Sequence, residues 1–445
     1  MLVAAFGAAA RTLATPWKKL PQGPPINFYE ASLARTADGV LHVAYPRNGG
    51  STGDVWHVRI TGAGAVGAAT PIAQGWAGVE NPALLVAPDG TLRAFWGGIK
   101  STDPANTNDA LNTATAPADG SAWTLQPGRV SGDSSAYVSP TGAAVAKDGQ
   151  FVEATTSTFG LRFHYGLTPA SQTFQVPGNC CYYDPGIGVD SVSGQTVLGW
   201  YSNESQPPGE GVFLQEISPT GLVGPRRLAP GSTDGKNAVS PGYRTPVTGR
   251  IGAAGVYLAY GVGYPSFKRV ALIRFGAPAP AIQIGAADNH GANLAAAPQG
   301  RLWLFWRRGA NLFATRTNRA VTAIEPISVF GGPPGTDTIW TFAGNGSRGP
   351  LDLVANVQTS DAAFWYRRLL PRLSLHGSAL GSRQARFVVT DAGEPVSGAT
   401  VKVKGHAVHT NAGGVASVDG LPRGRATAVA TKNGYQPASA RVLVR

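Results

Sequence analysis

The sequence predicts an all-β fold, and three observations lead to that prediction. The chain has 445 residues, of which 59 are Gly and 34 are Pro, and only 14% are charged; this composition favours short strands joined by turns. No window shows the 3.6-residue apolar period of a long amphipathic helix. A hairpin pattern also recurs at intervals of about 50 residues, which is typical of a repeat architecture.

The repeating unit is a β-hairpin with a glycine in its turn. It appears at residues 32–45 and again at 83–96, in each case as an apolar strand, an Asp-Gly turn and a strand that ends in aromatic residues. Five further turn glycines continue the series, at Gly149, Gly194, Gly252 or Gly255, Gly300 and Gly349. The pattern therefore predicts seven hairpins.

A third strand follows every hairpin, and a shorter fourth strand often follows it. Four strands in a unit of about 50 residues are typical of a propeller blade. We therefore expect a seven-bladed β-propeller over residues 16–370, with residues 16–21 supplying the outer strand of the seventh blade. Such a closure removes two unpaired sheet edges. A series of separate sandwiches is the alternative.

A different pattern begins at residue 371. Strict alternation in Thr400-Val-Lys-Val-Lys404 and turn signals about every 8 to 10 residues predict a small antiparallel β-sandwich over residues 371–445. The run Asp391-Ala-Gly-Glu-Pro-Val-Ser-Gly-Ala-Thr-Val401 resembles the carboxypeptidase-regulatory-like family of transthyretin-type or Ig-like modules. The resemblance implies an extracellular spacer or adhesion module without catalytic residues.

The first fifteen residues are interpreted as a truncated signal peptide, with an ordinary apolar tail as the alternative. No apolar run of about 18 residues occurs, so no transmembrane segment is predicted. The chain has one Met and two Cys, so disulfides cannot hold it together and a large core must. We expect a secreted or cell-surface protein, and a monomer.

The formal net charge is +12, which raises nucleic acid as a partner. The Lys and Arg residues are scattered, however, and no nucleic-acid recognition motif accompanies them. Nucleic acid is therefore not expected as a partner. The expected partner is another polyanion, such as an acidic polysaccharide or glycoconjugate.

Candidate site residues come from the segments that lead into each innermost strand, because these segments converge on one rim of a propeller. They provide polar, ionisable or aromatic side chains in almost every repeat: Tyr29, Glu30, Glu80, Asn81, Tyr137, Tyr183, Asp184, Tyr243, Arg244, Asn289, His290 and Trp340. Loops between second and third strands are expected around the same rim.

The chemistry of this set suits a sugar. In a hydrolase, two of Glu30, Glu80 and Asp184 would act as acid and as nucleophile or base. In a lyase acting on uronic acids, Arg244 would neutralise the carboxylate, while Tyr243 or His290 would transfer protons. We interpret the remaining residues of the set as ligand-binding: Tyr29, Asn81, Tyr137, Tyr183, Asn289 and Trp340.

The alternative function is non-catalytic, as a lectin or docking protein. In the simplest interpretation these side chains have no function beyond filling the channel. No cofactor is assigned. A structural Ca²⁺ could lie in the channel or use the oxygens of the Asp103 to Asp109 loop, although such a cluster is more often a solvated loop.

Residues 16–370 resemble sialidase-like propellers. Tyr243-Arg244-Thr245-Pro246 is similar to the Arg-Ile-Pro element of that family, and Ala118-Asp-Gly-Ser-Ala-Trp123 is similar to an Asp box. The Arg-x-Pro element lies in the fifth repeat and no further Asp boxes occur, so the resemblance implies the fold and not the activity.

Two adjacent cysteines, Cys180 and Cys181, run directly into the expected rim. Neighbouring Cα atoms lie about 3.8 Å apart, below the usual disulfide range, so a bond between them would be strained. We hypothesise a vicinal disulfide that rigidifies this loop; a free buried pair is the alternative.

Overall fold

The structure is a computed structural model, and it describes thirteen segments of the chain. These are residues 15–22, 29–48, 52–99, 110–126, 141–157, 160–167, 173–178, 182–204, 209–232, 244–263, 267–286, 289–359 and 362–445. They contain strands and a single 3-10 turn but no α-helix. Within them, no helix is long and apolar enough to cross a membrane.

The strands are numbered in chain order. The first group is β1 (Lys18–Lys19), β2 (Ser32–Arg35), β3 (Leu41–Asn48), β4 (Gly53–Ile60), β5 (Val66–Trp76), β6 (Gly78–Val79), β7 (Ala83–Val86), β8 (Leu92–Ile99), β9 (Ala110–Ala116) and β10 (Thr124–Leu125). The second group is β11 (Gly142–Val145), β12 (Phe151–Ser157), β13 (Gly160–Tyr165), β14 (Thr173–Gln175), β15 (Tyr182–Val189), β16 (Thr196–Asn203), β17 (Glu210–Ser218), β18 (Gly221–Leu228), β19 (Val247–Gly249), β20 (Val256–Val262), β21 (Arg269–Arg274) and β22 (Ile282–Gly285).

The remaining strands complete the chain. The third group is β23 (His290–Ala296), β24 (Leu302–Arg308), β25 (Asn311–Arg316), β26 (Ser328–Gly331), β27 (Thr338–Asn345), β28 (Leu351–Gln358) and β29 (Ala362–Leu369), with the 3-10 turn Pro298–Gly300 between β23 and β24. The last group is β30 (Ser374–Gly381), β31 (Gln384–Asp391), β32 (Glu394–Pro395), β33 (Thr400–Val403), β34 (His406–His409), β35 (Val415–Val418), β36 (Gly424–Thr431) and β37 (Ala438–Val444).

In the described part of the chain these strands form nine antiparallel sheets. We number them in chain order. Sheet 1 is β2 to β5, sheet 2 is β6 to β10, sheet 3 is β11 to β14, sheet 4 is β15 to β18, sheet 5 is β19 to β22, sheet 6 is β23 to β26, and sheet 7 is β27 to β29 with β1. Sheet 8 contains β30, β31, β32 and β35, and sheet 9 has the order β34-β33-β36-β37.

The first seven sheets are arranged in a closed cycle. Strands β2, β7, β11, β15, β19, β23 and β27 each contact the next strand of this series, and β27 contacts β2. The cycle is also closed by hydrogen bonds, because β1 pairs with β29 in the register Lys18↔Tyr366. This pairing agrees with the expected role of residues 16–21.

The turns that join the first two strands of these sheets follow from the sequence. In sheets 1 and 2 the turn glycines, Gly39 and Gly90, have φ values of 92° and 85°, in the left-handed region that favours glycine. The preceding aspartate stabilises each turn, since Asp38 accepts from the amide of Val40 and Asp89 from that of Thr91. An Asp-Gly pair is therefore a direct signal for this hairpin.

The core lies between neighbouring sheets and is rich in aromatic rings. Ring pairs join sheet 1 to sheet 2, sheet 2 to sheet 3, and sheet 6 to sheet 7, at centroid distances of 5.5, 5.7 and 5.8 Å: Trp76–Trp96, Phe95–Phe151 and Phe305–Phe342. Such pairs add about 0.5 to 1.5 kcal/mol each beyond the area they bury. Aromatic residues of second strands therefore contribute to the packing at these three junctions between sheets.

A chain of buried polar groups crosses sheet 1. His42 Nδ1 and His57 Nε2 are hydrogen-bonded at 2.9 Å, and their other ring nitrogens contact the hydroxyls of Thr36 at 3.1 Å and Thr70 at 3.2 Å. Burial lowers the pKa of His42 to about 4, and burial together with the neighbouring His42 lowers the pKa of His57 to about 3. Both imidazoles are therefore neutral in the folded protein near neutral pH.

We expect the protein to lose stability in mild acid because of this pair. An unfolded His titrates near pH 6.5, so the contribution is complete above that pH and is lost as the pH falls toward 4. One imidazole would account for a loss of about 3 kcal/mol by pH 4. Chemical denaturation at several pH values gives the free energy of unfolding as a function of pH. The slope of that dependence should be smaller in His57→Gln and unchanged in His376→Gln, a substitution at an exposed position. An unchanged slope in His57→Gln would contradict this interpretation.

Sheets 8 and 9 have a core of their own. Buried side chains alternate along β31, β33 and β36, and they form one cluster that includes Phe387, Val401 and Ala428. No described residue of the first seven sheets belongs to this cluster. The alternation expected for Thr400 to Val403 is confirmed.

An ionic cluster joins this C-terminal part to sheet 6. Asp391 accepts from Arg316 Nη2 at 2.6 Å and from the hydroxyl of Tyr435 at 2.9 Å, and it lies 3.4 Å from Arg301. Glu325 accepts from the amide of Arg372 at 3.0 Å, and burial raises its pKa to about 8. A cavity of about 260 Å³ lies beside this cluster. Removing one partner of such a buried network leaves an uncompensated charge, so the contact resists separation.

Candidate functional site

A buried ion pair lies where the first strands of the cycle begin. Glu30 precedes β2 and Arg244 precedes β19, and Glu30 Oε2 lies 3.4 Å from Arg244 Nη1. The amide of Arg244 also donates to Oε2 at 3.0 Å. The Glu30 side chain is 3% exposed and that of Arg244 is 16% exposed. The carboxylate is therefore almost entirely shielded from solvent.

Both members of the pair bind neighbouring sheets. Arg244 Nε donates to the carbonyl of Thr141 at 2.8 Å, and its Nη2 donates to the carbonyl of Pro82. The amide of Glu30 donates to Asn81 Oδ1 at 2.8 Å. These contacts connect sheets 1, 2, 3 and 5 through one guanidinium and one carboxylate.

The remaining three sheets join the same network. Asn293 in β23 donates to Glu30 Oε1 at 3.3 Å and to the carbonyl of Phe342 at 2.7 Å. The amide of Thr245 donates to the carbonyl of Asp184 at 2.7 Å. We call this set of contacts around Glu30 and Arg244 the axial network; it reaches all seven sheets of the cycle.

Burial and mutual attraction have opposite effects on the pKa values of Glu30 and Arg244. Burial raises the pKa of Glu30, while Arg244 and the hydrogen bonds to the carboxylate act in the opposite direction. Burial lowers the pKa of Arg244, and Glu30 opposes that shift. Burial is the larger effect for both residues, so the two charges compensate each other only in part, and loss of either partner would leave the other charge buried without its counter-charge.

Several other predicted residues have backbone or packing contacts in the same region. The carbonyl of Tyr29 accepts from Asn356 Nδ2 at 3.2 Å. The amide of half-buried Glu80 donates to the carbonyl of Gly97 at 2.8 Å. The ring of Tyr183 stacks on Tyr201 at a centroid distance of 6.4 Å.

The remaining predicted residues fall into three groups. Asn289 is buried, and its side-chain amide donates to the carbonyls of Ala286, Phe267 and Arg269, so these bonds occupy its donors. Trp340 is half-buried in β27, whereas His290 is exposed at the start of β23. The others lie outside the described residues: Tyr137, Cys180, Cys181, Tyr243 and the Asp103 to Asp109 loop.

An open cleft of about 640 Å³ lies beside His290, at the same end of the cycle as the axial network. We call it the rim cleft, and it is lined by His290, Arg307, Arg308, Phe313 and Asp337 among others. His290 is opposite Arg307 in the pairing of β23 with β24. The hairpin from β24 to β25 supplies Arg308, and the segment leading into β27 supplies Asp337.

The rim cleft combines cations with one aromatic face. Arg307 Nη1 donates to the carbonyl of Ile339, which holds the guanidinium against sheet 7. Phe313 stacks on Trp306 with an interplanar angle of 10° and a centroid distance of 5.7 Å. With a neutral imidazole, two arginines and one aspartate leave a formal charge of +1. This combination suits an anionic ligand that carries a flat or apolar surface.

Sequence reasoning identified only part of this cleft. His290 is among the predicted residues, but Arg308, Phe313 and Asp337 are not. The available signal was the expectation that loops between second and third strands surround the same rim, since the β24–β25 hairpin is such a loop. Among the described residues no group of three or more His, Cys, Asp or Glu side chains could hold a metal ion.

No protein-family model and no curated protein matches this chain. Solved structures of similar shape include the polysaccharide lyase Uly1, at 11% identity and a TM-score of 0.45, covering 79% of this chain and 92% of that one. The GH93 alpha-L-arabinofuranosidase of Fusarium graminearum is 11% identical with a TM-score of 0.45, covering 80% of this chain and 98% of that one.

The WD40 domain of Toxoplasma gondii coronin is similar to the same degree. It is 10% identical with a TM-score of 0.47, covering 81% of this chain and 86% of that one. These three proteins are named as a lyase, a glycosidase and a WD40 domain. Structural similarity at such low sequence identity and TM-score identifies neither a substrate nor a reaction.

Proposed function

We propose that this chain is a secreted carbohydrate-directed protein, in which residues 16–370 form a seven-bladed β-propeller and residues 371–445 a β-sandwich module. The closed cycle of first strands and the separate core of sheets 8 and 9 support this division. The proposed ligand of the protein is an acidic polysaccharide, bound in the rim cleft.

The observation that carries this proposal is the meeting of His290, Arg307 and Arg308 in one open cleft. A guanidinium binds a carboxylate through paired, charge-assisted hydrogen bonds. The face of Phe313 offers an apolar contact for a sugar ring, and Asp337 offers an acceptor for hydroxyl groups. A chain of uronic acids presents all three of these chemical features.

The same geometry favours a lyase over a hydrolase. A glycosidase needs two carboxyl groups facing the scissile bond, and the described lining of the cleft contains one, Asp337. The carboxylate of Glu30 is already bound by Arg244 and Asn293. We therefore transfer the carboxylate-neutralising role expected of Arg244 to the arginines of the cleft.

In the proposed reaction, His290 acts as the base. Its imidazole removes the proton on the carbon next to the uronate carboxylate, while a guanidinium stabilises the negative charge that develops on that group. The bond between C4 and the glycosidic oxygen breaks as the C4=C5 double bond forms, and the imidazolium of His290 returns its proton to the departing oxygen. The products are a 4,5-unsaturated sugar and a new reducing end.

Binding of alginate and polygalacturonate to the full chain tests the proposal, with neutral dextran as a control. We expect Arg308→Gln to weaken binding at least about tenfold, and His290→Gln to retain binding but abolish the absorbance of the unsaturated product. Arg274→Gln, at an exposed position in β21, is the matched control. Equal binding of dextran, or unchanged binding by Arg308→Gln, would exclude the rim cleft as an acidic-polysaccharide site.

A non-catalytic binding protein is the second candidate. The axial network favours it, because the two residues that chemistry would use first, Glu30 and Arg244, are bound to each other. Binding of uronate polymers without unsaturated product or new reducing ends would establish this candidate.

A further inference from the structure

The outward face of sheet 9 carries a cluster of cations. Strands β33, β36 and β37 alternate between buried and exposed residues, and Val401, Ala428 and Val442 point into the core of the C-terminal part. Alternation therefore directs Lys402, Arg425 and Arg441 to the opposite side, where all three are exposed. We call this side of sheet 9 the basic face.

The basic face has no compensating negative charge. Strands β33, β34, β36 and β37 contain no Asp or Glu at any position. Among the described residues, none of the three cations takes part in an ion pair. Their charges are therefore directed at solvent rather than used within the protein.

The spacing of the three cations follows from the strand register. Lys402 is opposite Val429, Thr427 is opposite Arg441, and Arg425 is opposite Leu443. With the usual spacing of strands and residues, the Cα atoms of Arg425 and Arg441 lie roughly 8 Å apart and those of Lys402 and Arg441 roughly 12 Å apart. One small anion cannot contact all three, but a chain that carries repeated anionic groups can.

The basic face carries hydroxyl groups near its cations, and its strands contain no aromatic residue. Thr427 and Ser439 are exposed on the same face, and they can exchange hydrogen bonds with sugar hydroxyls. The four strands contain no Trp, Tyr or Phe, which membrane interfaces and single-stranded nucleic acids typically use.

The attachment of the C-terminal part leaves this face open. Contacts with sheet 6 and the segment that follows β25 come from Arg372, Asp391, Glu394 and Tyr435, which lie in turns or at strand ends rather than on the face. These contacts meet sheet 6 near Arg301, whereas Arg308 of the rim cleft lies at the far end of β24. The 7 residues of β24 span roughly 20 Å.

We infer that the basic face is a second binding surface, for an extended acidic polysaccharide. The choice of polysaccharide among polyanions rests on the proposed function, whereas the surface itself does not. A long polymer can contact this surface over several sugar units, whereas a trisaccharide held in the rim cleft cannot reach it. The basic face would thus give long chains an affinity that short ones lack.

The test compares alginate polymer with its trisaccharide on the full chain at low and moderate salt. The variant Lys402→Gln/Arg425→Gln/Arg441→Gln should bind the polymer at least about tenfold more weakly, and more so at low salt, while trisaccharide binding stays unchanged. The control Lys19→Gln/Arg59→Gln/Arg274→Gln removes the same charge from exposed positions on the first seven sheets and should bind as the unmodified protein does. Thermal unfolding of each variant verifies that it is folded.

The outcomes separate the two proposals. We call Lys402→Gln/Arg425→Gln/Arg441→Gln the face variant. If the affinity for the polymer is lower in the face variant but not in Arg308→Gln, the result supports the basic face and counts against the rim cleft. Polymer binding unchanged in the face variant, or reduced equally in the control, overturns the basic face even when the rim cleft holds. Vesicles containing phosphatidylserine or duplex DNA that bind as tightly as alginate through the same three residues would also overturn it.

Discussion

Gly249→Ala is expected to cause the largest loss of stability of any single methyl addition in sheet 5. A Cβ at this position would lie 1.7 Å from the carbonyl oxygen of Val189, where β19 meets β15. The obstacle is backbone rather than a mobile side chain, so the two strands must move apart. Gly186 in β15 has the same constraint, since its Cβ would lie 1.8 Å from the carbonyl oxygen of Thr245.

We expect Gly249→Ala to lower the free energy of unfolding by about 3 kcal/mol or more, or to prevent folding. Gly285→Ala is the matched control, because this residue is in the same sheet and an added methyl group there would have no neighbouring atom within 4 Å. Guanidinium denaturation of both variants gives the comparison. Equal midpoints would show that β15 and β19 do not approach as closely as the structure places them.

Arg244→Met should produce the next largest effect, a loss of about 3 to 5 kcal/mol. It leaves the carboxylate of Glu30 buried without its counter-charge and removes the hydrogen bonds to the carbonyls of Thr141 and Pro82. Urea denaturation at neutral pH measures the loss. The pair Arg47–Asp54 is the control, because its atoms are 3.9 Å apart and Arg47 is 31% exposed; Arg47→Met should cost less than about 1 kcal/mol.

A double-mutant cycle with Glu30→Gln separates a structural role from a catalytic one. If the axial network stabilises the ring, the double variant should be destabilised by less than the sum of the two single variants. Catalysis by Glu30 would instead appear as lost product formation in Glu30→Gln with stability retained. Additive losses would show that Glu30 and Arg244 are not coupled.

The prediction from sequence succeeded where the signal is local. The glycine-containing turns expected at Gly39 and Gly90 are present; both glycines are left-handed, and the preceding aspartate accepts a backbone hydrogen bond in each turn. The pairing of β1 with β29 was also anticipated, because residues 16–21 precede the first hairpin and an unpaired outer edge is unfavourable.

The candidate site was predictable only in part. Glu30, Asn81 and Arg244 were placed on one rim, and the structure does bring them together. Their partnership could not be read from the sequence, since Glu30 and Arg244 are 214 positions apart. Nor could it be known that Arg308 and Asp337 share a cleft with His290, because that depends on how sheet 6 packs beside sheet 7.

The secondary structure class, the turn positions and the repeated hairpins can be read from the sequence, because these depend on alternation, glycine conformation and short-range hydrogen bonds. Which charges meet depends on the three-dimensional arrangement, as with Arg244 and Glu30 in the axial network and Asp391 and Arg316 between the two parts. The physical reason is that burial and Coulomb energy depend on distances in space, and chain separation does not specify those distances.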